Sequence, residues 1–140
     1  MGENLEKDVH TNLDSIQTNL NKVAQADGFR KENIKERLEN ALSDLEADYD
    51  KNRFEQELIY YLEKFDISEE KTRLKSHIDY FKEVSESKAP NGKKLNFISQ
   101  EMGREINTIG SKANDATIQS YVVGMKDDLE KIKEQLLNIL

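Results

Sequence analysis

The chain has 140 residues, with 21 Lys and Arg against 28 Asp and Glu, a formal charge of −7. It contains no Cys and only two His, which excludes disulfides, zinc ribbons, thiol catalysis and a histidine-rich metal cage. No apolar run approaches the roughly 20 residues that span a bilayer. Leu, Ile, Val and Phe number 35, a quarter of the chain, above the rough one-fifth mark below which chains lack a core. One Pro and six Gly leave few breaks. The N-terminal Met1-Gly2-Glu3-Asn4 shows no signal-peptide pattern. The expectation is a helical, cytoplasmic protein, all-α in class.

Apolar residues at Leu5, Val9, Leu13, Ile16, Leu20 and Val23 step by four and three, the period of one helix face. Ala26-Asp27-Gly28 predicts an end to that helix, because glycine takes the left-handed C-terminal position easily. A second stripe runs through Phe29, Ile34, Leu38, Ala41, Leu42 and Leu45. The short connection predicts a long antiparallel helical hairpin, an arm over residues 1–48. Residues 49–140 are expected to form a bundle-like C-terminal unit. Its first helix, residues 52–64, has Phe54, Leu58, Ile59, Tyr61 and Leu62, with Phe65 just beyond. As the most apolar stretch it is expected in the core. Asp66-Ile67-Ser68-Glu69-Glu70 restarts a helix with Ser68 as N-cap and two acids in the first turn. That helix carries Leu74, Ile78, Phe81 and Val84.

Pro90, Asn91 and Gly92 mark the clearest loop. A helix over residues 94–107 follows, with Leu95, Ile98, Met102 and Ile106 on one face and Gly110 breaking the pattern. Asn114 or Asp115 can cap the last helix. There Ile118, Val122, Met125, Leu129, Ile132, Leu136 and Ile139 alternate by four and three, a seam for another helix of the core or of a second copy.

Residues 88–112 hold five basic side chains (Lys88, Lys93, Lys94, Arg104, Lys112) and two acids, a net of +3 on an acidic protein. Such a strip attracts phosphates, or is an ordinary solvated face. Glu101 and Glu105 lie four apart, on one helix face. Two hard oxygen ligands can hold Mg²⁺ or Mn²⁺, whose bound water can attack a phosphodiester; equally, they are two acids in water. Arg104 beside them can fork onto phosphate oxygens. His77 shares a face with Glu70 and Arg73 and can ligate metal or shuttle a proton, or be a half-buried His with one hydrogen bond. Glu57 sits beside apolar surface, in a polar network or at an exposed edge.

The run Lys94-Leu95-Asn96-Phe97-Ile98, then Gln100-Glu101-Met102 and Arg104-Glu105-Ile106-Asn107-Thr108-Ile109-Gly110-Ser111-Lys112, resembles the hallmark segment of the YicC/YloC bacterial proteins. Arg53, Gln56-Glu57, Asp66-Ile67, Glu69-Glu70, Arg73-Leu74 and Ser76-His77 fall where that family has the same types. Asn96 and Gly103 depart from it, standing where Asp and Asn are usual. Family members are about twice this length, so the chain reads as a C-terminal fragment without the N-terminal domain.

The resemblance implies a divalent-metal-dependent endoribonuclease, using Mn or Mg, that assembles into a homo-oligomer, a hexamer when full-length. At the matching positions, side-chain chemistry makes Glu101, Glu105, His77 and Arg104 the expected catalytic groups, with Glu101, Glu105, Glu57, Glu70 and His77 around the metal. Arg73, Lys93, Lys94, Arg104 and Lys112 would hold RNA. The rival expectations are a helical oligomerisation or RNA-binding module without catalysis of its own, and a structural adaptor.

Overall fold

The computed structural model describes residues 3–44, 50–113 and 115–139, with side chains for 7–44, 50–113 and 115–138. Among them there are five helices and no strand: α1 (Glu3–Asp44), α2 (Lys51–Lys64), α3 (Ser68–Ser85), α4 (Gly92–Lys112) and α5 (Ala116–Ile139). The all-α expectation holds. The side chains of Leu5 and Ile139, together with Leu45 and Asn114, lie outside the described residues.

One expected turn is absent. α1 passes through Ala26-Asp27-Gly28 without a break and runs 42 residues, about 63 Å at 1.5 Å per residue. A helical Gly costs about 1 kcal/mol against Ala. Here the helix is held on both sides of Gly28: Val23 is buried in the core, and Asp27 bonds Arg30 one turn on, at 2.7 Å. The reversal of chain direction therefore comes after α1, not at Gly28.

The core is a four-helix arrangement of the first half of α1 with α3, α4 and α5. Hydrogen bonds fix the directions. Asn12 donates to Gln135 and Ser15 to Asp128, so α1 and α5 run antiparallel. Lys71 reaches Asp27 and Lys82 reaches Asp14, so α1 and α3 do too. The 4-3 seam of α5 is thereby assigned to the core of this chain: Ile118, Val122, Met125, Leu129, Ile132 and Leu136 are all buried with Val9, Leu13, Ile16 and Leu20 of α1. Close approach has a price in side-chain size. A Cβ on Gly103 would sit 3.3 Å from Leu129, one on Gly110 3.2 Å from Val122, and one on Gly124 3.0 Å from the Asn19 amide. Gly110 does not end α4, as its sequence suggested; it lets α4 pack on α5.

The apolar α2 is not the core. Only Leu58 is buried, and Ile59, Tyr60 and Tyr61 are exposed. The reason is length. α5 begins at Ala116, and its pairings with α1, Ser15 to Asp128 and Asn12 to Gln135, place that start beside residues 27–31. The second half of α1 overhangs the bundle, and α2 lines that overhang. The caps also differ in part. Asp115 accepts from the Ile118 N–H, as expected. For α3, Asp66 rather than Ser68 accepts, taking the Ser68 N–H at 3.0 Å and its hydroxyl at 2.6 Å.

Candidate functional site

α4 presents two opposite stripes. Leu95, Ile98, Met102, Ile106 and Ile109 are buried against α3 and α5. Lys93, Phe97, Gln100, Arg104, Asn107 and Ser111 follow a 4-3-4-3-4 spacing on the far side, and all six are exposed. That stripe spans about 27 Å and contains no acid. It holds two cations, two amides, a hydroxyl and an aromatic ring, Phe97, which is 61% exposed. Lys93 has no ion pair among the described residues. Arg104 approaches Glu101 at 3.6 Å with its own side chain 78% exposed, a contact too solvated to hold it. Lys94 is also exposed, seven residues before Glu101 on the flank of α4.

Glu101 and Glu105 occupy the flank of α4 between the two stripes; Glu101 is half-buried and Glu105 buried. On the same flank Lys112 reaches across to α3 and holds Glu70 Oε1 at 2.8 Å. Seven residues back along α4 is Glu105. Seven residues on along antiparallel α3 is His77, half-buried. Equal rise brings Glu105 and His77 to one level of the α3–α4 pair. The other expected site residues are placed apart. Glu57 is exposed on α2 against Arg53 at 3.3 Å. Arg73 pairs with Glu69 at 2.8 Å on the exposed face of α3.

A metal ion needs several converging donors. Among the described residues no three His, Asp or Glu side chains are gathered to hold one. Glu70 Oε2 is buried with no hydrogen-bond partner, but one orphan oxygen beside a lysine-paired one is not a ligand set. The donors among the described residues do not by themselves fit a resident Mg²⁺ or Mn²⁺.

The densest polar cluster was not foreseen from the sequence. Asp27, 1% exposed, accepts from Arg30 and from Lys71 at 2.9 Å. Arg30 also donates to the Phe65 carbonyl at the end of α2, at 2.7 Å. Burial pushes the Asp27 carboxyl up, but the hydrogen bonds and charges of Lys71 and Arg30 outweigh it and hold the group below the ordinary range. Asp66 is held at about 2, chiefly by the Ser68 hydroxyl, with Lys31 also contributing against burial. The cluster ties α1, α3 and the end of α2 together. Its sequence signal was the i,i+3 pair Asp27–Arg30, hidden under the reading of Gly28 as a turn. Phe97 was also legible: it falls off the apolar stripe of its helix.

Comparison with known proteins agrees with the hallmark. Residues 11–140 match the family described as "Endoribonuclease YicC-like, C-terminal". A "Probable endoribonuclease YicC" of Clostridioides difficile (strain 630) is 38% identical over 141 residues, covering 99% of this chain and 48% of that protein. One of the same description from Haemophilus influenzae is 33% identical over 138 residues, again covering 99% and 48%. The chain thus spans about half the length of these curated relatives.

Proposed function

This chain belongs to the YicC-like endoribonuclease family, matching its C-terminal part, and from that premise we propose that it binds RNA along the exposed stripe of α4, in the service of an enzyme that hydrolyses RNA phosphodiester bonds. The carrying observation is that stripe: six exposed residues, two of them cations and none an acid, on a protein of charge −7. Lys93 and Arg104 lie 11 residues apart on it, about 16 Å, a span that crosses two or three phosphates of an extended strand. The amides of Gln100 and Asn107 add neutral donors, and Phe97 a surface for a base. Lys94 adds a further exposed cation on α4, whereas Arg73, paired with Glu69 on α3, lies apart from the stripe. Lys112 instead serves Glu70 and steadies the α3–α4 pair.

The test is RNA affinity against salt, by fluorescence anisotropy. Arg104→Ala and Lys93→Ala should each weaken binding and reduce the log–log salt slope by about 1. Unchanged slopes in both would remove the stripe from the interface.

A second reading has one observation in its favour, the level placement of Glu105 and His77. A buried carboxylate and a half-buried imidazole at one level of the α3–α4 pair suit proton transfer at the cleaved phosphate, with Arg104 and Glu101 on the same helix as Glu105. Cleavage of a hairpin RNA by the full-length relative, lost in the counterparts of His77→Ala and Glu101→Gln while RNA affinity is kept, supports it. Assembly into a homo-oligomer belongs to the same proposal. Light scattering reads the subunit number. No described helix is long and apolar enough to cross a membrane. We place the activity in the cytoplasm, beside its RNA.

A further inference from the structure

The overhang of α1 and the end of α2 form a trough on the side of the molecule described by neither α4 stripe. Two adjoining recesses, each of about 230 Å³, share Arg37 and Tyr61. Together they reach the ~300–1,000 Å³ range of small-molecule sites. The first is mixed, lined by Asn33, Arg37, the already engaged Arg30 and Asp115 on its polar part and by Ile34, Tyr61 and Phe65 on its apolar part. The second is apolar, where Ile34, Leu38 and Ala41 face Tyr61.

Three features give this trough a ligand chemistry. Arg37 is exposed and has no ion pair among the described residues, so its fork is open to an anion. Tyr61 rests on Phe65, ring centroids 4.7 Å apart, yet keeps 43% of its surface exposed. It is a braced aromatic platform. Asn33 supplies an amide that both donates and accepts. The two acids nearby are partly accounted for: Asp115 is occupied capping α5, and Asp27 is neutralised by Arg30 and Lys71. An anionic group beside a flat apolar body, with hydrogen-bonding edges, is the chemistry of an unpaired nucleotide.

We infer that the α1–α2 trough takes one unstacked nucleotide of single-stranded RNA, its base on Tyr61 and its phosphate on Arg37, as a second subsite apart from the α4 stripe. This rests on the RNA-binding reading above and deepens it. The α4 stripe reads backbone; the trough selects a base that is free of pairing, and so favours single strands and bulges over duplex.

The experiment uses the 140-residue chain with a single-stranded RNA dodecamer bearing one 2-aminopurine, and with the blunt duplex of the same sequence. Binding of the single strand should quench the 2-aminopurine. Tyr61→Leu and Arg37→Gln should each weaken it by about five- to a hundredfold and reduce the quench, the range of one base stack. Tyr61→Phe should keep both, and duplex affinity should stay within about twofold. Both altered side chains are exposed, so thermal midpoints should match the parent. Single-strand affinity unchanged in Tyr61→Leu and Arg37→Gln, while Arg104→Ala weakens it, overturns the trough and leaves the RNA reading standing. Equal losses for strand and duplex also overturn it. No RNA bound by the parent chain at low salt removes the RNA reading and the trough together.

Discussion

The two halves of α1 carry similar stripes of apolar residues and meet different fates. Val9, Leu13, Ile16, Leu20 and Val23 are buried, each at 5% exposure or less. Phe29 and Leu38, on the same helix, are exposed. α2 repeats the lesson: it is rich in aromatic and branched residues, and buries Leu58 alone. An apolar stripe becomes core only where a second helix of matching length lies opposite. α5 supplies that partner up to about residue 30 of α1, and beyond it the described neighbour is the shorter α2.

The largest expected effect lies in the bundle. Phe81→Ala, fully buried on α3, should lower the unfolding free energy by about 3–5 kcal/mol. Ile59→Ala on α2, 55% exposed, should change it by no more than about 0.5 kcal/mol. Denaturant titrations of both variants compare the regions directly, and similar losses would mean α2 is packed after all.

Next comes the cluster joining the two regions. Asp27→Asn leaves Arg30 and Lys71 without their shared carboxylate and should cost about 2–3 kcal/mol, in the range for a buried charged group left unpaired. The same measurement on Glu57→Gln, exposed on α2, should show almost no change.

Gly28→Ala tests the continuity of α1 itself. A Cβ there meets nothing within 4 Å, so alanine should stabilise the protein by about 0.5–1 kcal/mol, as in any exposed helix interior. Had the chain turned at Gly28 in a left-handed conformation, the same change would destabilise it. A raised thermal midpoint decides for the unbroken helix.

The smallest effect is in acid. Asp27 and Asp66 titrate lower folded than unfolded. Between pH 4 and 2 the unfolded chain therefore binds more protons than the folded one. The stability these groups add is complete above about pH 4 and is lost as pH falls through their folded values, about 2 for Asp66. Asp66→Asn should flatten that part of the stability curve by lowering stability at neutral pH and leaving the acid end unchanged, a small loss because Asp66 is partly solvated.

Much of the candidate site was readable in advance. The placement of Lys93 and Arg104 on one exposed face of α4 follows from helical period, since 93 and 104 are three turns apart and both fall opposite the Leu95–Ile98–Met102 stripe. Spacing also put Glu101 and Glu105 on a common flank. It could not reveal that Lys112 would cross to Glu70, or that Glu57 would stay on an outlying helix. Those outcomes depend on neighbours far away in the chain.

The amino-acid pattern alone determined helix class, the faces of α3, α4 and α5, the Asp115 cap and the family hallmark, because each depends on residues within one or two turns. Tertiary structure decided the rest: that α1 continues past Gly28, that the seam of α5 packs on α1, that α2 lies outside the core, and that no three His, Asp or Glu among the described residues gather as a metal site. Each of these turns on which surfaces meet. That is set by relative helix lengths and by the glycines that let α4 and α1 close on α5, and local period carries no record of either.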